Sequence, residues 1–467
     1  MPEGGVRKLF GTDGIRGVAG EYPLDESTVA LIGRSLVSNL ASEMGRPPRI
    51  LIGRDTRESG PRIEQALAQG AIRAGASVES AGVITTPGVA YITRFTPFDA
   101  GVVISASHNP YRDNGIKVFS PSGKKLADEM ERRIESDIAK AMDETPVRCT
   151  DGYEKDETPA NASDGYERQE ARHQERYRAY LANKVAEGLN LEGFRIGLDC
   201  ANGAASVIAP KLFQELGAHI DVISNSPDGR NINEGCGSLH LEGLQHLVAK
   251  NNLDLGIAFD GDADRALFVD DKGELVDGDV SLLLLAEYLK SRGQLAENKV
   301  VATVMSNIGL ELALGEREIQ MVRAQVGDRY VLAELLASGA KLGGEQSGHI
   351  IFPDISLAGD GMITAIELLR AVQHSGRKLS ELASMMTRFP QVLVNVRVQS
   401  KPDLDELPEV KAAMDQLESD LQGRGRLLVR YSGTENLARV MIEGEDQKKI
   451  EAQANQLADC IKRTIGE

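Results

Sequence analysis

Short apolar runs alternate with helical stretches along most of the chain, and the same order of elements recurs. In its first occurrence, a strand predicted at residues 49–53 precedes a helix at 60–74 and a strand at 75–79. The order returns at residues 194–221, with a glycine after the helix in both cases, and at 299–323 with a shorter helix. Repeated strand–helix–strand units predict parallel or mixed sheets with helices on their faces.

Changes in this pattern predict an α/β protein of four domains. The expected boundaries are an α/β domain at 1–150, a linker or insertion at 151–172, α/β domains at 173–254 and 255–373, and an α+β domain at 374–467. The last domain alternates amphipathic helices with strands predicted at 391–398, 427–429 and 437–442. The linker is polar and contains D-G-Y-E twice, and a helix is expected to open at Glu167.

Composition narrows the class of protein. A net charge of −17 disfavours nucleic acid and anionic membranes as partners, and no apolar run approaches the ~20 residues of a membrane helix. The four cysteines lack C-x-x-C spacing, which argues against a zinc knuckle and a disulfide framework. Because the amino terminus also lacks an apolar signal core, a cytoplasmic location is expected.

A serine-containing loop follows the apolar strand at residues 101–104. It reads S-A-S-H-N-P at residues 105–110 and includes Ser107 and His108, with Lys117 downstream. Open α/β sheets bind ligands beyond the carboxyl ends of their strands, and a phosphorylated serine there would store a phosphoryl group. The alternative interpretation is an ordinary polar turn.

An acidic loop, D-G-D-A-D-R at residues 260–265, lies between two predicted strands. Its aspartates at alternate positions suit a hard cation, which would relieve their mutual repulsion. An EF-hand is excluded because Arg265 and Asp271 stand where that loop needs glycine and glutamate. A phosphatase of the D-x-D-x-T/V type is weakened by Asp264 at the last position, and a purely structural acidic turn stays open.

Three further loops combine glycine with polar side chains. Residues 343–349 place Glu345, Ser347 and His349 at alternate positions, a set suited to sugar hydroxyls. Residues 430–436 could form an anion-binding nest from Arg430, Ser432, Gly433 and Thr434, with Arg439 beyond it. Residues 10–17 hold three glycines and Arg16. Each loop taken alone is also compatible with a tight structural turn.

Taken in order, these motifs resemble the α-D-phosphohexomutase superfamily. The series is F-G-T-D-G-I-R-G, S-A-S-H-N-P, D-G-D-A-D-R, G-E-Q-S-G-H and R-Y-S-G-T-E, and it spans nearly the whole chain. The resemblance implies three related mixed-sheet α/β domains and a C-terminal α+β domain around a central cleft, with the second domain contributing least.

The resemblance also implies roles for individual residues. Ser107 would be the phosphoserine, and it would hold one Mg²⁺ per subunit together with Asp260, Asp262 and Asp264. Lys117 and His349 match positions for proton transfer, beside His108, and Arg16 and Arg265 would line the cleft. The remaining positions would bind substrate: Glu345 and Ser347 the sugar hydroxyls, and Arg430, Ser432, Gly433, Thr434 and Arg439 the non-reacting phosphate.

Two features are similar to the branch that acts on amino sugars: P-D-G-R-N-I-N-E-G-C-G-S at residues 227–238, and Gln346 where relatives acting on glucose or mannose phosphates tend to carry methionine. The implied reaction interconverts glucosamine 6-phosphate and glucosamine 1-phosphate, activated by a catalytic sugar 1,6-bisphosphate, and supplies UDP-N-acetylglucosamine and cell-wall synthesis. Three departures stand out: Asn436 in place of proline, Tyr431, and the doubled D-G-Y-E.

The alternatives are a mutase for glucose or mannose phosphates, a sugar-phosphate phosphatase and a non-catalytic sugar-phosphate sensor. The expected partner is a small sugar phosphate, and the sequence leaves the oligomeric state open, with a homodimer as one option.

Overall fold

A computed structural model describes residues 9–11, 13–144, 160–421, 423–432 and 436–466 of the chain, without the side chains of 143–144 and 160–167. The chain divides into two compact units. The first contains Met1–Val304 and Val322–Ala383, and the second contains Met305–Met321 and Ser384–Glu467.

The first sheet of the first unit is mixed and has the strand order β1-β2-β6-β5-β3-β4. Its strands are β1 (Phe10–Gly11), β2 (Gly14–Val18), β3 (Arg49–Arg54), β4 (Ser77–Val83), β5 (Ala100–Ile104) and β6 (Asp113–Phe119). Its helices are α1 (Glu26–Met44), α2 (Gly60–Arg73), α3 (Thr86–Phe95) and α4 (Asp128–Glu144). Strand β5 is buried along its whole length, and the loop at residues 105–110 follows directly at its carboxyl end.

Helices α1 and α2 pack unusually closely because glycines face the partner backbone. A Cβ atom at Gly70 would lie 1.9 Å from the carbonyl oxygen of Ala30, and one at Gly33 would lie 2.2 Å from that of Leu67. Asp25 caps the start of α1 by accepting a hydrogen bond from the Thr28 amide. The pair closes the apolar core on one face of the first sheet.

A second sheet has the order β11-β10-β9-β7-β8. Helix α5 (Ala160–Tyr180), which packs against β4 of the first sheet, and a π-helical turn (Leu181–Val185) precede this sheet in the chain. Its elements are β7 (Arg195–Asp199), α6 (Ala209–Glu215), β8 (His219–Ile223), α7 (Glu242–Asn251), β9 (Leu255–Phe259), β10 (Ala266–Asp270) and β11 (Leu275–Val276). Strands β9 and β10 pair antiparallel, with Phe259 opposite Ala266, and the acidic loop joins them.

The third sheet of the first unit has the order β13-β12-β14-β15. Its elements are α8 (Gly278–Ser291), β12 (Lys299–Thr303), β13 (Gln320–Ala324), α10 (Asp328–Ser338), β14 (Gly343–Gly344), β15 (Ile350–Ile351), α11 (Gly361–Ser375) and α12 (Leu379–Ala383). The intervening helix α9 (Ile308–Gly315) belongs to the second unit.

The second unit contains a three-stranded antiparallel sheet of order β16-β18-β17. Its elements are β16 (Gln391–Arg397), α13 (Pro408–Leu421), β17 (Gly425–Tyr431), β18 (Leu437–Gly444) and α14 (Gln447–Ile465). The apolar faces of α13 and α14 cover one side of this sheet.

The predicted fold class, three α/β sheets followed by an α+β domain, is confirmed. One predicted domain boundary and one predicted helix start differ from the structure. The limit expected between residues 254 and 255 falls inside the second sheet, because β9 pairs with β7 across it, so the acidic loop lies in that sheet. Helix α5 begins at Ala160 rather than Glu167, and residues 151–159 lie outside the described residues. In the described parts, no helix is long and apolar enough to cross a bilayer.

Candidate functional site

The serine loop leaves β5 and turns sharply at Ser107. The backbone φ of Ser107 is 54°, in the left-handed region that residues with side chains seldom occupy. Its amide donates a 2.9 Å hydrogen bond to Ser105 Oγ, and its side chain is buried. Such conformations persist where the surroundings impose them, which occurs often at functional sites.

The Ser107 hydroxyl points at the acidic loop of the second sheet. Its Oγ donates a 2.5 Å hydrogen bond to Asp260 Oδ2. His108 Nδ1 lies 3.2 Å from Ser107 Oγ. Two loops that were predicted separately and whose residues lie 153 positions apart in the chain are therefore joined by a hydrogen bond.

The three aspartates of the acidic loop form a buried carboxylate group. Asp260, Asp262 and Asp264 each offer one oxygen within 4.8 Å of the others. Oδ1 of Asp262 is buried without a hydrogen-bond partner among the described residues, and Oδ1 of Asp264 is buried with His349 Nδ1 as a neighbour at 3.6 Å. Clustered carboxylate oxygens are the ligands that Mg²⁺ and similar hard cations prefer, and orphaned buried oxygens need such a partner. The residues present therefore fit a divalent metal ion.

Burial and neighbouring charges affect the three carboxyl groups differently. Burial raises the pKa of Asp260 well above its ordinary value, and Asp264 and Asp262 add to the rise. Burial would also raise the pKa of Asp264, but the charges of Lys117 and His349 hold it well below its ordinary value. Protonation of one member is how a buried acidic group lowers its repulsion when no cation is bound.

Lys117, on β6, supplies a buried positive charge to this group. Its Nζ lies 2.9 Å from Asp262 Oδ2, 3.3 Å from Asp264 Oδ2 and 3.2 Å from Asp13 Oδ2. Burial alone would lower the pKa of Lys117, but the carboxylates, Asp13 foremost, raise it well above its ordinary value. The ammonium group of Lys117 is therefore fixed beside the acidic loop that Ser107 contacts.

The turn between β1 and β2 brings further charges to the same place. Asp13 forms ion pairs with Arg16 and Lys125 as well as Lys117, and these cations hold its pKa well below the ordinary value although burial opposes them. A Cβ at Gly14 (φ 81°) would lie 2.4 Å from the Ile116 carbonyl oxygen, so only glycine lets the turn approach β6. Thr12 lies outside the described residues.

The glycine-rich loop joins β14 to β15. Glu345 Oε1 accepts a 2.9 Å hydrogen bond from the Gly327 amide, and Ser347 Oγ donates to Glu345 Oε2 at 3.4 Å. His349 Nδ1 lies 3.6 Å from Asp264 Oδ1. Burial lowers the pKa of His349, but Asp264 outweighs it and raises the pKa to about 9. Glu345 and Ser347 thus contact each other, while His349 faces the acidic group.

An open pocket of about 420 Å³ lies over these loops. Its walls come from all three sheets of the first unit and include Asp13, Gly14, Arg16, His108, Asp264, Arg265, Gly327, Glu345 and His349. Nε of Arg16 and Nε of Arg265 are buried and have no hydrogen-bond partner among the described residues. Two arginines in the wall of a pocket suit an oxyanion such as phosphate.

The C-terminal loop lies in the second unit. Arg430 of β17 stands directly opposite Arg439 of β18, and two like charges in that register suit an anionic ligand. The amide of Ser432 donates to the Leu437 carbonyl at 2.8 Å, and Lys401 Nζ donates to the Ser432 carbonyl at 2.7 Å. Gly433 and Thr434, also predicted here, lie outside the described residues.

Sequence reasoning missed several side chains at this site. Thr86 Oγ1 donates a 2.6 Å hydrogen bond to Asp262 Oδ2, and Asp13 bridges three cations, yet neither was singled out. Arg57 contacts the serine loop and was likewise overlooked, and Asn233, which also contacts it, lies in the motif at residues 227–238 but was given no role. Arg57 follows the end of β3, so the rule that ligands bind beyond strand ends could have found it; Thr86 has no motif around it.

Comparison with protein families covers nearly the whole chain. Four family models match in order: phosphoglucomutase/phosphomannomutase alpha/beta/alpha domain I at residues 7–145, domain II at 175–273, domain III at 277–389 and the C-terminal domain at 393–460. The second match includes the acidic loop, in agreement with the sheet that holds it.

Two curated relatives are about equally similar. The phosphoglucosamine mutase of Koribacter versatilis is 50% identical over 464 residues, 99% of this chain and 98% of the relative. That of Solibacter usitatus is 50% identical over 462 residues, 99% of this chain and 100% of the relative.

Solved structures share the fold at lower identity. A phosphoglucomutase/phosphomannomutase family protein from Burkholderia thailandensis matches with a TM-score of 0.76 and 22% identity, over 98% of this chain and 97% of that one. An Aspergillus fumigatus N-acetylphosphoglucosamine mutase, in complex with GlcNAc-6P and magnesium, matches with a TM-score of 0.64 and 18% identity, over 98% and 96%.

Proposed function

We propose that this chain, which belongs to the phosphoglucomutase/phosphomannomutase family, interconverts glucosamine 6-phosphate and glucosamine 1-phosphate. Relatives with half of their residues identical over nearly the full length are named for this reaction. The observation that carries the proposal is the Ser107 hydroxyl, buried and hydrogen-bonded to a cluster of three carboxylates.

The proposed reaction moves a phosphoryl group twice. In the first transfer the bond between phosphorus and Ser107 Oγ breaks and a bond to the sugar 1-oxygen forms; the proton of that sugar hydroxyl passes to a base on the enzyme, and Ser107 Oγ takes up a proton. The resulting 1,6-bisphosphate reorients. In the second transfer the bond between phosphorus and the sugar 6-oxygen breaks and the phosphoryl group returns to Ser107 Oγ, which gives up its proton; the 6-oxygen regains a proton, and glucosamine 1-phosphate leaves. A catalytic amount of sugar 1,6-bisphosphate maintains the phosphorylated enzyme.

Asp260, Asp262 and Asp264, together with Ser107, would hold one Mg²⁺ per chain. When bound, the ion would offset negative charge on the phosphoryl oxygens during transfer. Thr86 fixes the Asp262 carboxylate through its 2.6 Å hydrogen bond and so orients one of the proposed ligands.

The chain's own residues would bind, orient and exchange protons with the sugar phosphate. Lys117 and His349 lie beside the acidic group and are the proposed proton-transfer residues, with His108 next to Ser107. Glu345 and Ser347 would hold sugar hydroxyls, and Arg16 and Arg265 would bind phosphate oxygens in the pocket. The residues of the C-terminal loop and Arg439 would hold the phosphate that does not react.

Preference for an amino sugar is supported by Gln346 and the loop at residues 227–238, and by the names of the relatives. A mutase for glucose or mannose phosphates is the second candidate, favoured by the family to which the chain belongs. Initial rates on the three hexose 6-phosphates separate the two. The cytoplasmic location expected from the sequence stays a prediction.

The test is a mutase assay with the full chain, Mg²⁺ and a trace of glucosamine 1,6-bisphosphate. Conversion of glucosamine 6-phosphate to glucosamine 1-phosphate, followed by ³¹P NMR, is expected for the wild type and is expected to vanish in Ser107→Ala. Intact-mass analysis should show one phosphate on the active protein. Release of inorganic phosphate without the isomer, or full turnover in Ser107→Ala, would refute the proposal.

A further inference from the structure

The loop at residues 227–238, which in sequence is similar to the amino-sugar branch, has been given no structural role so far. It follows β8 and docks onto the turn after β3, in the first sheet. The Gly229 carbonyl accepts a 2.9 Å hydrogen bond from the Glu58 amide, and Arg230 Nε lies 2.7 Å from Glu58 Oε2. A further hydrogen bond, from Thr56 Oγ1 to the Asn202 carbonyl at 2.6 Å, joins the same two regions.

Asn233 is the residue of this loop that reaches the serine. Its Nδ2 donates to the carbonyl oxygens of Ser107 and Asn109, at 2.9 and 3.1 Å. The backbone of Asn233 is left-handed (φ 58°), and its backbone N–H donates a 2.9 Å hydrogen bond to the Ala201 carbonyl. Asparagine adopts this backbone conformation more readily than most residues, so a residue with a side chain can occupy a position where glycine would otherwise be favoured.

Arg57 holds the same two carbonyl oxygens from the first domain. Its Nη2 donates to Ser107 O at 3.1 Å and to Asn109 O at 2.6 Å. The side chain is fully buried and forms an ion pair with Asp55, also fully buried. A buried guanidinium held by its own carboxylate is a rigid donor, because neither partner can turn towards water.

Gly261, in the acidic loop, closes the remaining side of this contact. A Cβ at Gly261 would lie 2.5 Å from the Ser107 carbonyl oxygen and 2.9 Å from Asn233 Nδ2. The backbone of Ser107 is thus enclosed by a side-chain amide, a guanidinium and a glycine, while its hydroxyl contacts Asp260.

We propose that Asn233 and Arg57 are positioning residues that fix the left-handed backbone of Ser107, so that the second domain sets the place of the phosphoryl carrier without touching substrate. The inference rests on the proposed role of Ser107. A left-handed serine gains freedom if its carbonyl is released, and a shift of its Oγ would move the phosphoryl group away from the sugar hydroxyl. Displacements of about 1 Å are enough to slow such reactions by about a hundredfold.

Asn233→Gly tests this directly, because glycine keeps the left-handed backbone and removes only the amide. Asn233→Asp keeps the shape but turns an oxygen towards the carbonyls in place of the donor. The matched control is Asn252→Gly: Asn252 is also left-handed (φ 49°), but it caps α7 and is exposed. Each protein is assayed with saturating Mg²⁺ and glucosamine 1,6-bisphosphate, and kcat is normalised to the phosphoserine content measured by intact mass.

We expect Asn233→Gly to lower kcat per phosphorylated site by about ten- to a hundredfold with KM within about threefold of wild type, and Asn233→Asp to lower it further. Amide hydrogen exchange in residues 105–109 should accelerate in both variants and not in Asn252→Gly. If Asn233→Gly keeps the wild-type kcat per phosphorylated site, the positioning role is wrong. The same holds if Asn233→Gly loses no more activity than Asn252→Gly. A wild type without mutase activity would instead refute the proposed function, and the exchange comparison would then decide the positioning role alone.

Discussion

Gly359 lies directly against the imidazole of His349, and replacing it with alanine is expected to displace that ring. An ideal Cβ at Gly359 would lie 2.3 Å from His349 Nε2 and 2.5 Å from both Cδ2 and Cε1. Ordinary van der Waals contact begins at 3.4 Å, so the ring must move by about 1 Å. His349 is buried and faces Asp264, which leaves the ring little room to move without changing that contact.

The expected loss of activity follows from that displacement. A shift of about 1 Å in a group that serves the reaction can lower the rate by about a hundredfold, whereas overpacking costs about 1–3 kcal/mol of stability and leaves the protein folded. Gly359→Ala should therefore show a large fall in kcat with a modest fall in melting temperature. Steady-state kinetics and differential scanning calorimetry measure the two effects.

A double-mutant cycle separates an action through His349 from general damage. In the His349→Ala background the added methyl group has space, so Gly359→Ala should cost nothing more in kcat. Gly243→Ala is the control: this helical glycine makes one ordinary contact, with Ile223 at 3.6 Å, and its replacement should preserve activity. Additive losses in the cycle, or a kcat within twofold of wild type for Gly359→Ala, would refute the reasoning.

Three further predictions concern the metal, pH and packing. Asp262→Asn should abolish the rise in melting temperature that Mg²⁺ gives the wild type, and an unchanged rise would exclude Asp262 as a ligand. Burial raises the pKa of Asp360 to about 6, so the folded protein binds its proton more tightly and loses about 3 kcal/mol between pH 4 and pH 7. Urea unfolding should show Asp360→Asn gaining stability relative to wild type across that interval, and parallel pH profiles would contradict it. Gly70→Ala should destabilise by about 3 kcal/mol or more, because its methyl would meet the Ala30 carbonyl at 1.9 Å, whereas Gly315→Ala, with open space around it, should not; equal melting temperatures would contradict this.

The sequence predicts the sheets well because their local pattern is strong. The strands at 49–53 and 194–199 and the helix at 60–74 are found within one or two residues of their expected limits. The sequence predicts a later start for helix α5, at Glu167, because the segment before it is polar and lacks apolar periodicity. Its later part is anchored by the fully buried Tyr177, a tertiary contact that local pattern does not contain.

The candidate site was predictable as a set of loops, but not as a set of contacts. Ser107 and Asp260 were recognised because each follows an apolar strand and lies in a motif that resembles the family, although each loop taken alone left a structural turn open. Their hydrogen bond depends on how two sheets pack, and the sheet that holds Asp260 depends on the pairing of β9 with the distant β7. The contacts of Asn233, Thr86 and Arg57 were missed for the same reason, since their partners lie far away in the chain.

The hydrogen bond from Ser107 to Asp260 joins two domains through a group whose charge the proposed cycle changes. With a neutral hydroxyl, Ser107 contributes one hydrogen bond to a buried carboxylate at this junction, in addition to the contacts made by Asn233, Arg230 and Thr56. A seryl phosphate would place a dianion against the same carboxylates, which repels them unless a cation intervenes. Cation affinity and phosphate occupancy must then rise together, since coupling between two ligands is reciprocal. Stripping the metal from the phosphorylated protein should loosen the junction of the first two domains, whereas stripping it from the unphosphorylated protein should leave that junction closed.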